Sequence, residues 1–455
     1  MKTENVDVVV IGMGPGGEDA AGSLAEAGLK VVGIEEILVG GECPYWGCVP
    51  SKMMIRAADL LAEARRIPGV AGAASVTPDW SPVAQRIRDQ ATDNWDDKVA
   101  VDRFVGKGGA FVRGRGVISG PGSVAVNGTT YIASRAIVIA TGTSPSIPPI
   151  PGLDRVPYWT NHEAIEADRL PASLIVLGGG AVGLELGQVF ARFGVAVTVV
   201  EALDRLLPLE EPEAGKTVAD VLEREGVRVR VGTSAASATE GGGEITLTLA
   251  SGEALTAERL LVAAGRKANL DGLGIEAIGL DSNARWIRAD AHMRVTDGVW
   301  AVGDVTGEGA FTHVAMYQSG IAAADILGQE AAPADYRALP RVTFTDPEVA
   351  SVGLTEAEAK RQGVNVRTGT AIVAHSARGW IHGPGNEGFI KLVEDSDRGV
   401  LVGATSVGPR GGEVLSMLGL AIKAEVPVST LRTMIYAYPT FYRGVEDALR
   451  DIASN

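Results

Sequence analysis

VDVVVIGMGPGG, Val6 to Gly17, is a β-branched run that turns at once into glycine. A short apolar run closed by a turn reads as a strand buried in a parallel sheet. Gly12-Met-Gly14-Pro-Gly-Gly17 follows, then an apolar helix pattern through Leu29 and a second strand, Lys30 to Ile34, ending at Glu35. The same order returns at Leu174 to Leu177, with Gly178-Gly-Gly180-Ala-Val-Gly183, a helix through Phe193, and a strand from Val195 to Val200 ending at Glu201. Gly12 to Glu35 is 23 positions, and so is Gly178 to Glu201. With 59 glycines in 455 residues one such match is weak, but two with strand, helix and acid in register are a repeat.

Each copy has the parts that a dinucleotide requires. Gly12 and Gly178 allow the tight turn, Gly14 and Gly180 let a pyrophosphate approach the backbone, and Gly17 and Gly183 bring helix against strand. Glu35 and Glu201 stand at the spacing that receives a ribose hydroxyl. Two dinucleotides in one chain imply electron traffic between them.

Composition narrows the setting. The length and a 46% hydrophobic content predict two to four domains. A formal net charge of -15 repels phosphate backbones, which argues against nucleic acid as a partner. No apolar run reaches the length of a membrane span, so a cytoplasmic location is the default expectation.

Leu60 to Val112 reads as a helical stretch, and Val117 to Ile139 as short strands with hairpins such as Asn127-Gly128. Ile137 to Thr143 is a strand running into an Ala-Thr-Gly turn, and prolines 145, 148, 149 and 151 then mark a stiff crossing into the second nucleotide fold. Trp300 to Asp304 reads as a strand and turn before an Ala-rich helix from about His313. After Pro340 the pattern changes and the fingerprint is absent, so a further domain is expected there.

The only two cysteines lie in GECPYWGCVPSK, Gly41 to Lys52. In a reducing compartment a purely structural disulfide between Cys43 and Cys48 is a poor expectation. Four intervening residues can close into a disulfide through a short irregular turn entering a helix. A helix start at this point would favour thiolates. A metal site is the rival, but five histidines and no other thiol argue for none.

In their shared order these motifs resemble the flavin-containing pyridine nucleotide-disulfide oxidoreductases, the group of dihydrolipoamide dehydrogenase, glutathione reductase and mercuric reductase. The resemblance covers nearly the whole chain. It rests on Gly12 to Gly17, Gly40 to Lys52, Ala140 to Gly142, Gly178 to Gly183, Gly265-Arg-Lys-Ala-Asn269, Gly303-Asp304 and Phe344 to Gly353. It implies an α/β chain of two nested Rossmann-like dinucleotide-binding domains plus a C-terminal α+β dimerisation domain. The expected bounds are 1–150 and 271–340 for FAD, 151–270 for NAD or NADP, and 341–455 for a homodimer interface.

The family assignment gives Glu35 the FAD adenosine ribose and Asp304 a ribityl or pyrophosphate-side hydroxyl. Lys52 would lie near flavin N5 with Glu185 as its ion partner, and Gly41, Thr141, Gly142, Gly265, Arg266, Gly303 and Ala315 would line the cofactors. Cys48 becomes the flavin-side thiol and Cys43 the interchange thiol that meets a small-molecule electron acceptor. Glu201 predicts NADH over NADPH, since a carboxylate repels a 2'-phosphate, although Arg205 lies four residues on.

The chain departs from its relatives at the end. Where the family has His-Pro-Thr-x-x-Glu, whose histidine is the acid-base partner of the other subunit's interchange thiol and whose glutamate orients it, this chain has Tyr438-Pro-Thr-Phe-Tyr-Arg443, which the dimer interface would deliver to the partner's cysteine site. A neutral tyrosine, of reference pKa ~10, is a poor proton acceptor near neutrality. Tyr45 and Trp46 stand between the cysteines, and Tyr158, Trp159, Trp380 and the Tyr438-Phe441-Tyr442 group add aromatics. The leading expectation is hydride transfer from NAD(P)H through flavin to the cysteine pair and on to a disulfide or other acceptor. The alternatives are a quinone or aromatic-acceptor reductase and a flavin-bound interaction protein with weak turnover.

Overall fold

The computed structural model describes residues 2–454 and divides into two compact units. The first comprises Met1–Pro50, Gln85–Ser146 and Gly265–Asp335. Its central strands, Val299–Ala301, Thr129–Ile139, Lys2–Ile11, Val31–Glu35 and Ala110–Arg113, run parallel in that order. Val8, Val9 and Val10 are fully buried because apolar side chains cover both faces of the sheet. The fingerprint helix is Pro15–Glu26 and packs against the helix Thr312–Ile326. Asn127 and Gly128 both take positive φ in the turn that joins Val126 to Thr129, the hairpin read from their sequence.

The second unit comprises Ser51–Ala84, Ile147–Ala264 and Tyr336–Asn455. A parallel sheet ordered Arg228–Arg230, Ala196–Val200, Ser173–Leu177, Arg259–Val262 repeats the nucleotide-binding topology, with the fingerprint helix at Ala181–Arg192. The C-terminal part is an antiparallel sheet of Pro340–Thr343, Glu348–Gly353, Val400–Gly408, Phe389–Asp395 and Val366–Ile372. Helices Gly411–Lys423 and Gly444–Ser454 cover it, burying Leu415, Leu418 and Leu449 against Ile390 and Leu392. Two nested Rossmann-like folds and a C-terminal α+β domain are therefore present.

The helical reading of Leu60 to Val112 is corrected. The helix Cys48–Arg66 stops before Pro68, Gly69 and Gly72, which disfavour its continuation, and helix resumes at Ser81–Arg86. Ala110–Arg113 is an edge strand on Val31–Glu35. The two fingerprint helices also end earlier than read, at Glu26 and Arg192. Among the described residues no helix is long and apolar enough to cross a membrane.

Candidate redox and dinucleotide sites

The strand Lys2–Ile11 delivers Gly12 at its carboxyl end with φ +90, a conformation that favours glycine. A Cβ on Gly12 would lie 2.4 Å from the Ala140 carbonyl oxygen, and one on Gly17 1.9 Å from the carbonyl oxygen of Gly12. A Cβ on Gly14 would meet only the Gly41 Cα at 3.9 Å, so the first turn of a twelve-residue helix faces open space there. In the second fold, Gly178 and Gly183 are crowded by Ala263 O and Gly178 O, while Gly180 has nothing within 4 Å.

The two acids are held alike. Glu35 accepts from the Met13 and Ile37 N–H groups, both at 2.8 Å. Glu201 accepts from the Gly179 and Leu203 N–H groups, both at 2.7 Å. Each carboxylate thus clamps the turn between the first two fingerprint glycines. Burial pushes the pKa of Glu35 upward, against the pull of those N–H groups and Arg113.

Beyond the Ala140-Thr141-Gly142 turn, a chain of polar contacts crosses the first unit. Thr143 donates to Asp304 at 2.8 Å and its hydroxyl receives Arg266 Nε at 2.7 Å. Arg266 also pairs with Glu42 at 2.9 Å, a residue of the cysteine segment. Burial raises the pKa of Asp304, opposed by Thr143 and Arg266. The Thr141 hydroxyl oxygen is buried with no hydrogen-bond partner. Gly303 donates to Gln318, the Gly265 carbonyl receives Ser146 N–H, and Ala315 is buried where a Cβ on Gly16 or Gly303 would touch it.

The cysteines occupy two consecutive helical pieces, Glu42–Tyr45 and the start of Cys48–Arg66. Both are free thiols, Cys43 half-buried and Cys48 exposed. They hydrogen-bond to each other, and this bond together with burial drives the pKa of Cys43 upward, while a bond from Thr312 opposes the rise. The Thr312 hydroxyl is also 3.6 Å from Cys48 Sγ. Cys48 opens a nineteen-residue helix, and its backbone N–H donates to Cys43, which also opposes the rise. Cys43 lines a cavity of ≈ 320 Å³ with Pro15, Pro44, Phe104, Thr312 and Met316.

In the second unit Lys52 pairs with buried Glu185 at 2.8 Å and lies 4.6 Å from the centre of the Phe344 ring. Glu185 also accepts the Phe344 N–H at 2.8 Å. Seven residues further along both helices, Asp59 meets Arg192 at 2.7 Å, so the helices run side by side in one direction. Arg192, buried, pairs in addition with Glu225 and Asp346, each at 2.7 Å, and Arg66 reaches Asp346 at 2.6 Å. Burial, with Asp346 nearby, pushes Asp59 up to about 6 despite Arg192.

The aromatics do not form one group. Tyr45 is buried, its hydroxyl donating to the Val39 carbonyl, and half-buried Trp46 leans on it. Trp159 packs on Phe190, Tyr158 lies against the nucleotide-fold core of the second unit, and Trp380 is exposed. Phe441 meets His382 and Tyr442 meets Tyr436. Tyr438 is 70% exposed in the single chain, with the Arg443 guanidinium 5.3 Å from its ring centre, and Arg443 is paired with Glu446 at 3.0 Å.

Glu42, Thr312, Arg192 and Asp59 escape a reading of sequence alone. Only Glu42 carries a signal, as an acid where the resembling family segment has threonine; the others are brought together by segments far apart in the chain.

Residues 6–319 match the family described as pyridine nucleotide-disulphide oxidoreductase, and residues 339–449 match its dimerisation domain. A dihydrolipoyl dehydrogenase of Thermus scotoductus is 35% identical over 98% of this chain and 97% of its own length. A mercuric reductase of Acidithiobacillus ferrooxidans is 35% identical over 97% of this chain and 82% of its own. The Cu(II) complex of the HOCl-induced flavoprotein disulfide reductase RclA from Escherichia coli has a TM-score of 0.87 at 25% identity, covering 98% of this chain and 99% of that one. These matches support oxidoreductase chemistry linked to FAD and NAD(P)H, binding of both nucleotides, and a homodimer. The chain belongs to the pyridine nucleotide-disulfide oxidoreductase family.

Proposed function

We propose that the chain uses NAD(P)H to reduce a small disulfide through the Cys43-Cys48 pair. The observation that carries this reading is that the two thiols are hydrogen-bonded to each other and Cys43 also lines a cavity. Residues 1–150 and 271–340 would hold FAD, 151–270 the nicotinamide nucleotide, and 341–455 the partner subunit. The open backbone at Gly14 and the unpartnered Thr141 hydroxyl suit a bound pyrophosphate and its neighbouring polar groups. Bound FAD would pass two electrons from the nicotinamide to sulfur.

The protein's own groups do the rest. Gly12, Gly14, Gly17, Gly41, Thr141, Gly142, Gly303, Asp304 and Ala315 would shape the FAD cleft, with Gly265 and Arg266 fixing its border through Thr143 and Glu42. Gly178, Gly180 and Gly183 would seat the second pyrophosphate. Lys52, held by Glu185, would place a positive charge at the flavin. Cys48, exposed at a helix start, would be the flavin-side thiolate, while half-buried Cys43 stays protonated until it is called on to attack the acceptor. NADH is the preferred coenzyme: Glu201 repels a 2'-phosphate, and Arg205 is turned to its own loop, donating to the Pro208 carbonyl at 2.9 Å. The dispersal of Tyr158, Trp159, Phe441 and Tyr442 among separate packing groups favours a disulfide over a flat stacking acceptor.

Anaerobic titration of the FAD-loaded protein tests this. Wild type should take up about four electrons per subunit, and Cys48→Ser about two with loss of the long-wavelength thiolate-flavin band. Uptake of about two by wild type with both thiols intact would refute a working pair.

A further inference from the structure

The cavity that Cys43 lines has two charged walls. Glu18 and Asp19 come from the fingerprint helix Pro15–Glu26, and Arg103 and Lys107 from the helix Lys98–Gly106 and its C-terminal cap. Arg103 Nε donates to Glu18 at 2.7 Å, which brings the two walls into register. Lys107 lies along the fingerprint helix in the space left by Gly22, where a Cβ would be 3.0 Å from its Cδ, and its ammonium is 3.4 Å from Glu26. Asp19 accepts the Ser319 hydroxyl. Between the walls the surface is apolar: Pro15, Pro44, Phe104 and Met316.

From this arrangement we infer that the acceptor is a small disulfide bearing both ammonium and carboxylate groups, of the kind formed by two α-amino acid thiols. The inference rests on the proposed disulfide reductase activity and names the substrate class of the same site. A cavity with two anions facing two cations has no net charge to offer an anion or a cation, but a zwitterion can exchange its own groups for the Arg103–Glu18 pair that joins the walls and the Lys107–Glu26 pair beside them. Such pairs are partly exposed and each worth little, so breaking them costs a balanced ligand less than it gains by meeting all four charges at once. A ligand with excess carboxylates would set one of them against Glu18 and Asp19, and like charges in contact are rejected strongly. A neutral dithiolane gains nothing from either wall. Discrimination thus comes from which ligands the walls exclude. The volume of ≈ 320 Å³ also suits a compact ligand better than a peptide disulfide.

In the reaction, the Cys43 thiolate attacks one sulfur of the substrate and expels the first amino acid thiolate. Cys48 then attacks Cys43 in the mixed disulfide, expelling the second and closing the Cys43-Cys48 bond. Two electrons from NAD(P)H reopen that bond. One substrate disulfide, one NAD(P)H and one solvent proton give two thiols and NAD(P)⁺.

The test is steady-state kcat/KM of the FAD-loaded enzyme with NADH and four disulfides: cystine, cystamine, lipoamide and oxidised glutathione. The expected result is a preference for cystine of about tenfold or more over the other three, inverted toward cystamine in Arg103→Glu/Lys107→Glu. Both positions are at least a third exposed, so the substitutions are tolerated by the fold. Lipoamide or oxidised glutathione turned over best, or a ranking unmoved by the charge reversal, overturns the inference while leaving the disulfide reading intact if Cys43→Ser abolishes the turnover. Reduction of none of the four by wild type overturns both.

Discussion

Replacing Tyr438 by histidine together with Arg443 by glutamate should raise disulfide turnover, and the expected size follows from what those side chains do now. A phenol, of reference pKa ~10, is a far poorer proton acceptor near neutrality than an imidazole, of reference pKa ~6.5. Positioned acid-base groups contribute roughly 10²–10⁴-fold. The present Arg443 lies over the Tyr438 ring and is neutralised by Glu446, so it offers no acceptor to orient a histidine. The introduced carboxylate would supply one. It would also stand three residues before Glu446, a repulsion worth only about 0.2–0.5 kcal/mol, and the N-terminus of the helix Gly444–Ser454 would soften it. The gain expected in kcat/KM for the best disulfide is therefore about 10²-fold, at the lower end of the range because the surroundings are not shaped for an imidazole. Stopped-flow reoxidation of the two-electron-reduced enzyme by that disulfide isolates the step. Tyr438→Phe should change it by less than about threefold. A loss of about 100-fold in Tyr438→Phe, or no gain in the double variant, would show that the phenol itself serves as the acid or that proton transfer runs through another group.

Two further outcomes concern the charge cluster of the second unit. Arg192→Met leaves Asp59, Glu225 and Asp346 without their shared cation, a loss of about 3–5 kcal/mol that lowers Tm by about 6–20 °C; a fall under about 2 °C in differential scanning calorimetry would show that Arg66 alone neutralises the cluster. Asp59, whose pKa is pushed up to about 6, keeps its proton in the fold at pH values where an unfolded aspartate near ~3.9 has lost it. The folded state then binds more protons, so its contribution to stability falls as pH rises from about 4 to about 6, and Asp59→Asn should flatten the denaturant midpoint across that window; an identical pH slope in the variant would refute the assignment.

Much of the fold is legible because its decisive signals are local. A strand, three glycines, a helix and an acid are contiguous in both copies, and Asn127-Gly128 announces its own hairpin. The pairing of Lys52 with Glu185 is reached only through resemblance, since nothing in the intervening chain ties them. Arg192 shows the limit most plainly. An arginine ending an apolar helix reads as a solvated cation, yet chain segments around residues 59, 225 and 346 converge on it and bury it. Pro68, Gly69 and Gly72 are signals present in the sequence that a helical reading of Leu60 to Val112 passes over. The aromatics mislead in another way: counting them by position suggests a stacking surface, whereas packing divides most of them among separate cores and leaves Trp380 and Tyr438 exposed.

The clamps made by Glu35 and Glu201 bear on any attempt to redesign coenzyme choice. An engineer wishing to admit NADPH would remove the charge at Glu201, as the simplest electrostatic argument recommends. That change would also strip the Gly179 and Leu203 amides of the acceptor that holds them, loosening the very loop on which the phosphates must rest. The discriminating charge and the mainstay of the loop are one side chain, so the two properties cannot be tuned separately by substituting it. A workable redesign would have to supply neutral acceptors for both amides before adding a cation for the extra phosphate; glutamine, with a single amide oxygen, would keep only one of them held. Inheritance faces the same coupling: a lineage can drift from one coenzyme to the other only through an intermediate that keeps the loop tied.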